Sequence, residues 1–298
     1  MINSSKTKTR KNYVLLLVVL AFLVTLTGLS CVEKKSKGET SPMGYNLDKP
    51  LKYSMPDILQ EISGIAFDKG DNKIVYAEMD EDGSVFKLPL GTKNETVTKF
   101  GKKGDYEDIS IAQGWVIVLK SNGDLYSLPI SETSKPETTN VRETKGLVPK
   151  GEYEGMFADE VSGNIYVLCK NCKQDKGTKL TSGYILSLQK DGSIKPKGTF
   201  SVDVSQVDKL SGKKKGTFHP SALAINPLTK EWYIVSSVNK ALLVTDQNWK
   251  VKNVYHLSSN TFNQPEGIAF DKNGNLYISN EGSETQLGNI LRFDYKKP

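Results

Sequence analysis

The sequence predicts an all-β fold in which five four-stranded antiparallel blades close into a ring, a five-bladed β-propeller. Three observations predict it: a strand-turn-strand unit recurs along the chain, each copy is followed by further strand-like runs, and the last copy lacks a fourth strand that an orphan strand near the N-terminus supplies. Such units bury their apolar faces only against one another, so repetition has to be read first. A six-bladed ring is the alternative reading of the same repeats.

The clearest copy spans residues 264–282, QPEGIAFDKNGNLYISNEG. Gly267-Ile268-Ala269-Phe270 is apolar, Asp271-Lys272-Asn273-Gly274 is turn chemistry, and Leu276-Tyr277-Ile278-Ser279 is β-branched or aromatic again. The template returns at 62–77, 106–119, 153–168 and 220–235, and alignment places Ser63, Glu107, Glu154, Ser221 and Glu266 in one column at spacings of 44, 47, 67 and 45 residues. A third strand is expected at 85–88, 125–128, 184–188, 241–245 and 290–293, and a fourth at 96–100, 139–143, 194–200 and 251–257. The fifth unit runs out after Phe293. Residues 47–53 precede Ser63 much as 96–100 precede Glu107, so pairing them into the last unit closes the ring and removes the open edges of a linear array. The long third interval holds two polar insertions, 171–181 and 202–217, expected as surface loops on one face.

The first thirty residues have a different character. Lys6, Lys8, Arg10 and Lys11 precede an apolar run, 13–26, and a small-residue zone ends at Ser30-Cys31. This is the layout of a bacterial secretory signal over residues 1–30, with Cys31 acylated as the mature N-terminus. An apolar run of about 15 residues falls short of the ~20 that a spanning helix needs. Residues 31–44, charged and aperiodic, read as a tether, and 45–298 as the propeller domain. The expected location is the bacterial cell envelope, membrane-anchored by lipid and facing periplasm or exterior. Removing residues 1–30 takes away four basic residues and no acids, so the formal net charge falls from +6 to +2. With no basic stripe left, nucleic acid is not an expected partner. Lys213-Lys214-Lys215 reads as a solvated loop.

Cys169 and Cys172 remain as a C-x-x-C pair. Two cysteines make at most half a zinc site, and the pair follows a predicted strand where a redox motif would open a helix. A local disulfide is the expected state in an oxidising compartment.

The stations E-x-S-G-I, Y-E-D-I, Y-E-G-M, H-P-S-A-L-A and P-E-G-I-A-F-D, each followed by a turn, together resemble the SdiA-regulated (YjiK-like) family of bacterial propellers over residues 45–295. The resemblance implies a five-bladed propeller, distantly similar to NHL repeats, with a bound calcium ion. It implies no biochemical activity.

Two rows of polar residues are expected at the axis: Glu61, Asp105, Glu152, His219 and Gln264, and two residues on in each repeat the anchor column itself. Six of these ten are carboxylates and none is lysine or arginine. Two carboxylates about 5 Å apart repel by ~3 kcal/mol at an effective dielectric near 20, so protons or a cation must relieve them. The ends of the second strands return to the same mouth, bringing Glu78, Asn280, Glu281, Lys120 and Lys170. Oxygen donors of this kind suit Ca²⁺, with Glu107, Glu154, Glu266, Glu61, Glu78 and Asn280 as candidate ligands. Ion pairing with Lys120 and Lys170 is the competing way to neutralise the acids. Function is expected to be that of a binding or scaffolding module for a protein or small-molecule ligand. The alternative is a metal-dependent esterase, lactonase or phosphatase with His219 as general base, a role set against that of a hydrogen-bonded turn residue.

Overall fold

The computed structural model describes residues 40–211 and 217–297, which belong to one compact unit, Thr40–Pro298. The signal segment, Cys31, most of the tether and Lys213-Lys214-Lys215 lie outside the described residues. After β1 (Leu51–Ser54), the first blade contains β2 (Ile62–Ala66), β3 (Ile74–Met79), β4 (Asp82–Pro89) and β5 (Thr96–Lys99). The second contains β6 (Tyr106–Ala112), β7 (Trp115–Lys120), β8 (Leu125–Pro129) and β9 (Arg142–Thr144). The third contains β10 (Gly151–Ala158), β11 (Asn164–Cys172), β12 (Leu180–Leu188) and β13 (Ile194–Asp203), and the fourth β14 (Ala222–Ile225), β15 (Trp232–Ser236), β16 (Ala241–Thr245) and β17 (Val251–His256). The fifth has β18 (Pro265–Phe270), β19 (Leu276–Asn280) and β20 (Asn289–Phe293) from the C-terminal end of the chain. Its outer strand is β1, antiparallel to β20 with Leu51 opposite Arg292 and Ser54 opposite Asn289. Five blades with an N-terminal closing strand are thus the observed architecture; the six-bladed alternative is excluded.

The inner strands β2, β6, β10, β14 and β18 pack against one another around the axis, and β18 meets β2 to complete the circle. Alternation along each strand sends side chains to both faces of its blade, so apolar residues collect between blades rather than in one central core. Five buried clusters result, one at each blade-to-blade interface. The chain ahead of β1 seals one of them. Tyr45 and Leu47 are buried between the fourth and fifth blades, and the Tyr45 hydroxyl donates to Gly274 O at 2.6 Å while accepting from Asn226 Nδ2 at 2.8 Å.

The described residues of the two insertions hold regular structure where surface loops were expected. The first extends β11 along β10, with Cys172 opposite Gly151, and β12 along β13, with Leu180 opposite Asp203, and carries a single helical turn at Lys173–Asp175 between them. The second carries the helix α1 (Ser205–Ser211), seated by Val202, Val204, Val207 and Phe218 in the interface between the third and fourth blades. Those scattered apolar side chains, diluted by lysine and glycine in the sequence, are what order it.

Closure can be tested by truncation. A chain beginning at Thr40 should melt like the full-length protein. One beginning at Met55 loses the β1 ladder and the buried Tyr45, exposes the β20 edge, and should aggregate or melt lower by about 10 °C or more, the effect of several kcal/mol on a domain this size. Equal melting temperatures would refute closure by β1.

Candidate functional site

In four of the five blades the anchor residue sits where the inner ladder breaks. Tyr106 pairs with Lys120 and Asp108 with Leu119, so Glu107 is left over. In the same way Glu154 falls between the Tyr153–Cys169 and Gly155–Leu168 pairs, and Glu266 between Pro265–Asn280 and Gly267–Ser279. The first blade has its irregularity between Ile62 and Ile65, around Ser63. A bulge adds a residue to one strand and re-aims its side chain, so it is the bulge, more than simple alternation, that turns these residues to the axis. The residue after the anchor is Gly64, Gly155 or Gly267 in three blades, at the closest approach of neighbouring inner strands. A Cβ on Gly267 would lie 2.4 Å from Ser63 O, and one on Gly64 2.6 Å from Ile109 N.

Asp108 breaks this glycine column, and its role was not read from the sequence. It is buried and accepts from Met156 N in the next blade at 2.7 Å and from its neighbour Ile109 N at 2.8 Å. Burial holds its carboxyl well above the usual range, against the pull of those two amides. The signal was a carboxylate where its counterparts are glycine or alanine.

Glu107, Glu154 and Glu266 share the mouth with an ammonium group. Lys170 forms a short ion pair with Glu154 and lies 3.8 Å from Glu152. Its charge also pulls down the carboxyls of Glu107 and Glu266. Lys170 is itself unpaired in the ladder, between Cys169 (opposite Tyr153) and Asn171 (opposite Glu152), which swings it toward the bulged Glu154. The Cys169–Cys172 disulfide brackets it. Lys120 turns away, its Nζ 5.1 Å from the Tyr106 ring centroid.

One lysine does not neutralise the mouth. Burial, then the charge of Asp105 and Glu78, pushes Glu107 up to about 9. Glu78 is fully buried at the end of β3, accepts from Gly64 N at 2.6 Å, and is pushed up to about 8, chiefly by desolvation. Burial raises Glu266 despite hydrogen bonds from Ser221 and Ser237. On the rim, burial and then the charge of Glu61 take Asp80 up to about 6, and burial and then Glu266 raise Glu281. Three of the candidate ligands have a buried oxygen without a hydrogen-bond partner: Glu78 Oε2, Glu154 Oε2 and Asn280 Oδ1. Glu61 stays half-buried at the rim. The six candidates therefore reach one mouth without forming one coordination shell. Among the described residues, the group of three acidic, cysteine or histidine ligand atoms mutually within 4.8 Å is Cys169, Cys172 and Asp175, and its sulfurs are in the disulfide.

The outer row is occupied locally. Ser121 Oγ donates to Asp105, Asn171 Nδ2 to Glu152 at 3.2 Å, and Gln264 Nε2 to Glu281. His219 Nδ1 sits 3.1 Å from Lys170 O and Nε2 2.9 Å from Thr217 Oγ1. A carbonyl only accepts, so Nδ1 carries the proton and Nε2 accepts from the threonine. Both nitrogens are engaged in holding the turn, and the structure gives no support to a general-base role.

The raised carboxyls make stability pH-dependent. Glu78 and Glu107 release their protons near 4.5 when unfolded but at about 8 and 9 when folded, so the unfolded state gains more from deprotonation in between. Their contribution is complete below about pH 4.5 and is lost as pH rises toward 9. With chelator present, urea midpoints should fall over that window. Glu78→Gln, which mimics the protonated form, should flatten the fall and stabilise by a few kcal/mol at pH 9 while changing little at pH 4.5. A variant whose pH profile parallels the wild type would contradict this.

With this geometry in hand, comparison with known proteins finds that the SdiA-regulated family model matches residues 189–284, from the end of β12 to just past β19. That covers about a third of the chain and agrees with the resemblance read from its repeats. Among solved structures, a luciferin-regenerating enzyme superposes with a TM-score of 0.51 at 12% identity, covering 83% of this chain and 95% of its own. Myxococcus xanthus glutaminyl cyclase does so at 0.51 and 15% identity, covering 83% and 96%. Agrobacterium tumefaciens regucalcin, described as a calcium-binding protein, reaches 0.47 at 11% identity, covering 85% and 95%. Likeness at such identities shows the propeller fold alone. No curated protein matches the chain.

Proposed function

We propose that this chain, a β-propeller matching the SdiA-regulated model, is a lipid-anchored module of the bacterial cell envelope that binds or scaffolds a ligand and holds calcium at its acidic mouth. The observation that carries the cation is the set of buried, unpartnered oxygens on Glu78, Glu154 and Asn280 at one end of the axis. An unsatisfied buried carboxylate oxygen costs several kcal/mol unless a proton or cation meets it. The donors fit a hard cation: all are oxygens, from two carboxylates and an amide, with Glu107 and Glu266 beside them. Glu61 would complete the set from the rim. A bound divalent ion would supply charge neutralisation that reverses the upward shift of these carboxyls. Lys170 competes for the same place, because its ammonium already pairs with Glu154. The proposal of anchoring rests on the basic and apolar segments ahead of Cys31. Among the described residues no helix is long and apolar enough to cross a membrane.

Calorimetric titration of chelator-treated protein tests the cation. Calcium at a hundred times its dissociation constant should add ~2.7 kcal/mol of stability. Glu154→Gln should weaken binding at least tenfold, and Lys170→Met should tighten it, since the variant removes the competing charge. A melting point indifferent to calcium and chelator, or a Lys170→Met protein that binds more weakly than wild type, would overturn the site. For the anchor, the membrane fraction should yield a mature N-terminus at acylated Cys31 by mass spectrometry; an intact Met1 would overturn it.

A further inference from the structure

The other end of the axial channel is chemically the opposite of the acidic mouth. Where the inner strands finish, a cavity of about 360 Å³ opens among the turns of the blades. All five blades wall it with apolar side chains, among them Ile65, Ile111, Met156, Ile225 and Ile268. The volume lies at the lower end of the ~300–1,000 Å³ typical of small-molecule sites, and an apolar wall with a few polar groups at its rim is their usual composition.

The rim supplies a charge pattern. Lys69, Lys230 and Lys272 line it from the first, fourth and fifth blades, which are consecutive around the ring, while Asp159 and Glu160 line it from the third. The carboxylates are held by the chain. Asp159 caps Ser162, accepting from its N–H at 2.7 Å and its hydroxyl at 2.6 Å, and Glu160 accepts from Gln113 N at 2.7 Å. The buried Asp271 takes bonds from Asn72, Asn273 and Asn275. For the three exposed ammonium groups, no hydrogen bond or ion pair is found among the described residues. Two of them are set in place by the fold. Lys272 N donates to Gly70 O at 3.0 Å, which locks the turns of the first and fifth blades together and brings Lys69 and Lys272 to the same stretch of rim. Lys69 and Lys230 have φ of 49° and 61°, left-handed conformations that lysine seldom adopts. Val161 and Leu228, next in sequence to the lining residues Glu160 and Pro227, are 89% and 48% exposed.

We propose that this end of the channel binds an amphipathic anion, its apolar chain in the cavity and its carboxylate or phosphate head on the arc of Lys69, Lys230 and Lys272. The inference rests on the binding-module reading and supplies its ligand class, yet uses none of the residues of the acidic mouth. Removing the apolar chain from water drives it into the cavity. The unpaired ammonium groups add selectivity for the head through charge-assisted hydrogen bonds.

The test is titration of the folded protein, with chelator present so that failure of the cation site leaves the result standing, against four probes sharing a ten-carbon chain: decanoate, decyl phosphate, decanol and decyltrimethylammonium. Decanoate or decyl phosphate should bind at least tenfold tighter than decanol, and the cation should not bind measurably. The triple variant Lys69→Glu, Lys230→Glu, Lys272→Glu, altered only at exposed positions, should keep its melting temperature and lose anion binding at least tenfold. Failure of both anions to bind below their micellar concentrations, anion binding unchanged in the triple variant, or equal affinity for decanol would each overturn the proposal.

Discussion

Everything in this ring depends on how five open strand edges are brought together around one axis. Each inner strand is paired on one side only, and its free N–H and C=O groups face the centre, where an unpaired buried group is costly. The chain meets this with side chains. Asp108 and Ser110 of the second blade accept from Met156 N and Ala158 N of the third. Glu78 accepts from the bulged Gly64 N, and Ser279 of the fifth blade donates to Ser63 O of the first. Approach this close needs residues without bulk beside the anchors, which is why Gly64, Gly155 and Gly267 recur there.

The same constraint explains why the two ends of the axis differ. At the starts of the inner strands, bulges project carboxylates inward, where desolvation favours their neutral forms and leaves oxygens without partners. Lys170 relieves this in part from an adjacent strand end. At the finish of the inner strands the ladders are regular, the side chains are mostly apolar, Ser110 is tied to Ala158 N, and the charged groups sit in the turns. A closed ring therefore presents a charged, proton-rich mouth at one end and an apolar funnel with a cationic arc at the other. The described parts of the third blade's insertions lie at the charged end, where β11, β12 and β13 run on beside Lys170 and His219.

The blade count, the order of strands, closure by the N-terminal strand and the anchor column were legible in the sequence. A blade is a local object: alternation, turn residues and spacing are all written within some 45 residues, and a missing strand at one end matched to an orphan at the other needs only counting. The acidic character of one mouth was legible for the same reason, because equivalent positions in equivalent units must converge. The burial of Glu78 and the orphaned oxygen of Asn280 could be anticipated only as membership of that mouth.

What the tertiary structure alone decided is how groups from different blades divide the space. A bulge changes the direction of a side chain without leaving a mark on the hydrophobic pattern, so the displacement of Glu154 and Lys170 into contact could not be read from periodicity. The role of Asp108 depends on an amide 48 residues away, and the placing of Lys69 beside Lys272 on a hydrogen bond between two turns some 200 residues apart. The sequence by itself determined the units and their number, since these follow from local alternation. Which charges meet, which remain unpaired and which end of the channel stays apolar was decided by packing between units, because those interactions act through distances that only the closed ring creates.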